Sequence, residues 1–462
     1  MPAPWNLPAS RALPCSLCAC IALLAASSCT RAIAQSEAAP PSTGLWERDT
    51  LTGDWHGLRT QLSTAGIRLD VKEQGEVWGG LAGGLRRGTV YTGLTTASVT
   101  LDLGTMLHWD GATLFASAYQ IHGRGPSANL VGNLQTVSNI EATRGTKLYA
   151  LWLEQSLWDD RLNIRVGQAG ANDEMMLSQN AALFLNSSFG YPASTTFDLP
   201  SGGPNYPIAT PMLRVKLKPT DHVTVIGAVF NGDPAPPGAG DPQRRDASGT
   251  AFRVNDHALG FLELAYATGN ADLPGTYKVG GWYHTAPFAD QRLDNTGQSL
   301  ADPASTGVAR QHRGNHGLYA VVDQMLWHPA GAADKGVAMF GLVMTAPGDR
   351  NLSDLFVEAG VNWTGPFPAR PADIAGFAIA YVHISRAAQQ LVAERFAGSR
   401  IPGHETVLEA TYQFQIARWW TLQPDVQYVI NPGAGLPTPA TGNRPVPLRN
   451  AWIVGLHGSV TF

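Results

Sequence analysis

The chain has 462 residues, 32 basic and 36 acidic, for a net charge of −4. Charged residues make up only 15% of it, low against the ~25% of ordinary globular proteins, while glycine numbers 50 and tryptophan 13. The mildly acidic balance argues against a nucleic-acid binder, which needs a basic surface, and no run of about 18 apolar residues follows the N-terminal leader, so no helical membrane span is expected.

Residues 1–34 read as a secretory signal peptide. Arg11 supplies the positive start, Ala12 to Ala26 a short apolar core, and Ala32-Ile33-Ala34 an A-x-A cleavage pattern. A lipidated Cys29 is the rival reading, but Ala26 stands where that signal carries a Leu-like residue. All four cysteines (Cys15, Cys18, Cys20, Cys29) lie in the leader. The mature chain is therefore expected to hold no disulfide, thiolate metal site or thiol nucleophile. Cleavage removes two arginines and no acid, leaving 428 of the 462 residues with a net charge of −6.

Residues 35–66 form an N-terminal periplasmic segment in this reading. Gln35 to Thr43 is a flexible terminus. Beyond it, Asp54 is placed to cap a short helix, Leu58, Leu62 and Ala65 share a face, and Gly66 ends it.

From Ile67 the period changes to two. Ile67, Leu69 and Val71 alternate with Arg68, Asp70 and Lys72. Leu162, Ile164 and Val166 alternate with Asn163 and Arg165, and Leu213, Val215 and Leu217 with Arg214 and Lys216. Tyr149, Leu151 and Leu153 share the apolar register opposite Trp152 and Glu154. This is the pattern of strands with one polar and one apolar face.

Strands are expected near 67–79, 90–105, 112–122, 146–158, 161–168, 211–218, 222–230, 257–267, 275–285, 316–327, 336–346, 355–364, 373–385, 404–416, 420–430 and 451–462. The links between them alternate in length. Trp109-Asp110-Gly111 and Trp158 to Arg161 are short. Residues 123–145, 169–210, 231–255, 285–315 and 431–450 are long and rich in Gly, Pro, Asn and Ser.

Tight turns on one rim and long loops on the other describe an all-β fold: a transmembrane antiparallel up-and-down β-barrel of about 16 strands over residues 67–462. Trp109, Trp158, Trp327, Trp363, Trp419, Trp420 and Tyr428 then suit interfacial girdles. The last strand, Ala451 to Phe462, closes the barrel against the one beginning at Ile67. A soluble, glycan-binding β-sandwich would also alternate, but with helices or a second sheet to cover its apolar faces.

Three runs carry a family resemblance. His404 to Tyr412 (HETVLEATY), Leu422 to Gly433 (LQPDVQYVINPG) and the terminal strand resemble the carbohydrate-selective porins of the OprB type. Gly53 to Arg59 (GDWHGLR) resembles that family's opening, with His56 where a small residue is common. Arg165-Val166-Gly167-Gln168, Asn172-Asp173-Glu174 and Phe230 to Pro234 also sit where the family has such runs. The resemblance implies an outer-membrane barrel that admits sugars by passive diffusion. A general or organic-acid-preferring porin of the same fold is the alternative.

A porin needs no catalytic group; it needs a water-filled lumen narrowed by side chains that replace part of the solute's hydration. The inward register offers Arg68, Asp70, Lys72, Glu76 and Trp78 on the first strand. It adds Trp152, Glu154, Arg165, Arg214 and Lys216 on the fourth to sixth, and Glu405, Glu409, Asp425 and Gln427 near the C-terminus. Both signs of charge are present, which suits a neutral polyhydroxy solute.

No G-x-S-x-G or H-E-x-x-H context surrounds the histidines, so no enzyme activity is expected. Asp349, Asn351 and Asp354 lack the spacing of a calcium loop, so neither a cofactor nor a metal site is expected. The expected partners are sugars as solutes, outer-membrane lipid and lipopolysaccharide, and the barrel-assembly machinery, which would read the terminal Phe462.

Overall fold

The computed structural model describes residues 44–462 except Ala271 and Ala333. The leader, its cleavage at Ala34 and the flexible terminus to Thr43 lie outside the described residues.

Sixteen strands follow one another: β1 (Ile67–Ala82), β2 (Gly88–Asp102), β3 (Ala112–Gly123), β4 (Gly145–Leu157), β5 (Leu162–Ala169), β6 (Thr210–Leu217), β7 (Val223–Asn231) and β8 (Ala258–Ala267). The second half holds β9 (Gly275–Asp294), β10 (Ala309–Trp327), β11 (Gly336–Thr345), β12 (Ser353–Thr364), β13 (Ile374–Ile384), β14 (His404–Ala417), β15 (Trp420–Ile430) and β16 (Ala451–Thr461). Every neighbour in the chain is a neighbour in the sheet, and β16 pairs antiparallel with β1, from Lys72 opposite Thr461 to Gly80 opposite Ile453. The sheet is closed and leaves no edge.

Five details of the strands, loops and N-terminal segment depart from the sequence reading. β9 and β10 run on well past residue 285, so the link expected over 285–315 is mostly a hairpin projecting beyond the rim. β2 stops at Asp102, whose carboxylate accepts the Gly104 and Thr105 N–H groups at 2.9 and 3.3 Å and caps α2 (Leu103–Leu107). A helix, Arg386–Arg395, forms in the loop after β13, with Ser385 as its N-cap. Trp419 joins no girdle: it is buried, stacked between Trp46 and Trp420, and its indole N–H donates to the Leu45 carbonyl at 2.9 Å.

Asp54 does not cap the N-terminal helix directly. α1 (Leu58–Thr64) starts after Gly57, and the Asp54 carboxylate reaches forward to the Thr60 N–H at 2.8 Å. Gly66, at φ +84°, turns the chain into β1, and a Cβ there would lie 2.9 Å from the Asp102 carbonyl. The N-terminal segment packs on the short-turn rim. Leu51 N–H donates to Thr461 at 2.8 Å and Arg59 donates to the Phe462 carbonyl at 2.8 Å.

Outward positions are mostly Leu, Val, Tyr, Phe and Trp. Inward positions divide in two. On β7 to β13 they include Phe230, Leu259, Phe261, Trp282, Phe340, Leu342, Phe356, Ala378 and Val382, all buried. These strands carry large apolar side chains on both faces, because residues 170–209 fold into the barrel and cover them; Glu263 of β8 and Asp323 of β10 are acidic exceptions that bind that loop. Met175, Met176, Phe184 and Phe189 of that loop belong to the same apolar cluster. The polar inward residues expected from the sequence lie on β1, β4–β6, β14 and β15.

Candidate functional site

The loop of residues 170–209 crosses the lumen and is fastened by side chains of the wall. Glu409 on β14 accepts the Leu185 and Asn186 N–H groups at 2.6 and 3.0 Å. Glu263 on β8 accepts the Met176 N–H at 3.1 Å and the Tyr319 hydroxyl at 2.9 Å. Asp323 on β10 accepts the Ser178 hydroxyl at 2.5 Å and the Asn180 N–H at 3.1 Å. Asp198, in the loop's own helix α3 (Ala193–Asp198), accepts the Ser353 N–H at 3.1 Å. A carboxylate that receives backbone N–H groups satisfies donors that a buried loop otherwise leaves unpaired.

The loop's other flank faces β4 to β6, where four charges meet. Arg165 donates to Glu154 at 2.6 Å and to Glu174 of the loop at 2.7 Å. Arg214 donates to the same two carboxylates, each at 2.7 Å. Two arginines and two glutamates alternate, so the quartet is neutral overall.

Burial separates the two arginines. Arg214 is 2% exposed and also donates to Asn163, so it clamps the quartet from behind. Arg165 is 15% exposed and its guanidinium lies 3.9 Å from the Trp152 ring centroid. Trp152 stacks its other side on Phe115 at 4.8 Å. Trp152 is thus packed against both Phe115 and Arg165, and Arg165, Glu154 and Glu174, at 15%, 19% and 19%, are the members of the quartet that keep some exposure.

The predicted lumen residues fall into three groups. Trp152, Glu154, Arg165 and Arg214 come together, with Lys216 next along β6. Arg68 and Asp70 pair with each other at 2.8 Å near the short-turn end of β1, well exposed, and Lys72 lines a separate cavity.

Glu76, Trp78, Glu405, Glu409, Asp425 and Gln427 keep the inward register but are buried, each at most 1% exposed. They hold structure in place instead of facing water. Glu76 joins the Trp78 indole at 2.6 Å to His457 at 2.9 Å. Glu405 accepts the Leu134, Gln135 and Gly433 N–H groups at 2.8, 2.7 and 2.6 Å, drawing two further loops inward. Gln427 accepts from Asn186 at 3.1 Å.

Two site residues escaped the sequence reading. Glu174 supplies half of the quartet's negative charge, and its Asn172-Asp173-Glu174 run was visible as a motif without a role. Alternation along β4 puts Tyr149 in the apolar register. A bulge, where Ser117 pairs with Ala150 and Ala118 with Leu148, turns it inward. Its hydroxyl donates to Asn172 and Asp173, both at 2.9 Å.

A closed antiparallel barrel of 16 strands, with a loop folded into the lumen against a charged wall, defines the porin class of outer-membrane channels. The family described as "Carbohydrate-selective porin, OprB family" matches residues 86–462. The chain belongs to this carbohydrate-selective porin family.

Porin B of Pseudomonas aeruginosa is 27% identical over 413 residues, covering 83% of this chain and 87% of that protein. A putative porin, QuiX, of Acinetobacter baylyi is 22% identical over 457 residues, covering 90% of this chain and 94% of that protein. Among solved structures, the high-pH form of Pseudomonas putida OprB superposes with a TM-score of 0.79 at 24% identity, over 90% of this chain and 99% of that one.

Proposed function

We propose that neutral sugars cross the outer membrane by passive diffusion between the 170–209 loop and the polar wall, and that Arg165, Glu154 and Glu174 make the narrowest polar contact. The observation that carries this is the neutral quartet at the loop's flank. A guanidinium beside two carboxylates offers donors and acceptors at close spacing, which replaces the hydration of adjacent hydroxyls without selecting a net charge.

The long-loop rim then faces outward and the short-turn rim faces the periplasm. Export through cleavage after Ala34, lipopolysaccharide around the outer girdle, and recognition of the C-terminal strand by the assembly machinery complete the reading.

Liposome swelling tests it. A series of sugars should enter faster than organic acids matched in size, and equal rates would sink the sugar-selective reading. Arg165→Ala should raise single-channel conductance in salt and alter sugar entry. An unchanged record would remove Arg165 from the constriction.

A further inference from the structure

A second cavity lies away from the quartet. It measures about 280 Å³ and sits between the inward faces of β14–β16 and β1 and the loop residues Ala182, Leu183 and Leu185. None of the quartet lines it, and β2 and β3 separate the two walls. It reaches the short-turn end, where Arg418 lies at its edge, paired with Asp49 at 3.1 Å.

The lining is polar on one side and apolar on the other. Lys72, Gln74 and Ser459 face it, and among the described residues their side chains hold no hydrogen-bond partner. Gln413 gives one amide hydrogen to Gln423 at 3.2 Å and keeps its carbonyl oxygen free. Leu183 and Leu185 form the opposite side.

A primary amide both donates and accepts, as a hydroxyl does. A pyranose is built to match, with hydroxyls at its edge and C–H groups on its faces. No carboxylate lines the cavity. The nearby acid, Glu76, is buried and already joined to His457 and Trp78. The volume is at the small end for ligand sites, which begin near 300 Å³, and this favours a single sugar ring over an oligosaccharide.

We propose that this cavity is a monosaccharide subsite on the short-turn side of the loop, distinct from the Arg165 quartet. The proposal rests on the sugar-diffusion reading above. Its content is a resting position for the solute near the periplasmic exit, set by Lys72, Gln74, Gln413 and Ser459.

The test is block of ion current by D-glucose, added to the short-turn side of single channels in planar bilayers. The double variant Gln74→Leu/Gln413→Leu keeps side-chain size and removes both amides. Its half-blocking concentration should rise on the order of tenfold, with conductance in salt retained. Lys72→Met should raise it independently by about threefold, and it decides the matter if the double variant fails to show the heat-shifted band of a folded barrel.

Unchanged block in a folded variant overturns the subsite. Swelling assays on the wild type separate this from failure of the underlying reading. If the wild type prefers sugars yet block ignores all three substitutions, only the subsite falls. If the wild type shows no preference for sugars, the reading beneath it falls as well.

Discussion

Glu409 and Arg165 were indistinguishable in the sequence: both are charged residues on an inward register. The structure gives them opposite work. Arg165 lies partly exposed over Trp152, whereas Glu409 is buried and bound to two N–H groups of the crossing loop. Within the loops, two carboxyls carry a pH dependence. Burial pushes Glu141 up to about 7, partly offset by its hydrogen bonds with Ser127, and pushes Asp198 up to about 8, offset by the Ser353 and Leu352 N–H groups.

A carboxyl raised in the folded state contributes stability that is fully present below its ordinary range and is lost as pH rises through the raised value. The 124–144 and 170–209 loops should therefore be held most firmly below about pH 4 and loosen as pH rises from there to about 7 for Glu141 and about 8 for Asp198. Hydrogen exchange of these loops across that range measures it. Glu141→Gln should flatten the response of 124–144, and an unaltered profile would assign the dependence elsewhere.

Among the elements, β1 departs most from a simple two-faced strand. Its outward register reads Leu69, Val71, Glu73, Gly75 and Val77, and Glu73 is the one acidic side chain in the outward register of the described wall strands between the rims. It is joined by Thr95 at 2.5 Å and by His122 at 3.4 Å, and His122 also meets Tyr91 at 3.1 Å and Gln120 at 2.9 Å. Tyr91 and His122 lie over the bare backbone of Gly93.

A charge facing lipid is costly, by ~2–4 kcal/mol for Lys or Arg at mid-membrane and less for an acid. Glu73→Leu should thus raise the unfolding temperature in a heat-shift gel, since His122 keeps two other partners. A lower temperature would mean that the cluster stabilises the wall. On β4 the bulge sets a second comparison. Leu151→Arg should reduce assembled barrel more than Trp152→Arg, because Leu151 faces outward and Trp152 inward; the reverse order in membrane fractions would invert the register.

At the scale of the whole molecule, closure joins the two ends of the described chain. The Phe462 N–H donates to the Val71 carbonyl at 2.9 Å, and its own carbonyl accepts from Arg59. The terminal residue therefore completes the β1–β16 seam and anchors the N-terminal segment beneath it. Deleting Phe462 should lower the amount of folded barrel in outer-membrane fractions while single channels that do form keep their conductance. A changed conductance would place the residue in the conduction path.

The sequence by itself determined the barrel: period-two alternation, the alternation of short and long links, and the closing strand are local patterns, and each strand expected from them is present. The family was legible in LQPDVQYVINPG and HETVLEATY for the same reason. The site was legible only in part. Trp152, Glu154, Arg165 and Arg214 lie on adjacent strands, so their meeting follows from register.

What only the tertiary structure decided is which inward residues still face water. The 170–209 loop buries the apolar inward faces of β7 to β13, and it shares the covering of β14 and β15 with the loop drawn in by Glu405. No period in the strands records that choice. A loop's path is set by where its backbone N–H groups find acceptors and its apolar side chains find cover, and those partners are far along the chain, 224 residues for Leu185 and Glu409 and 271 for Leu134 and Glu405.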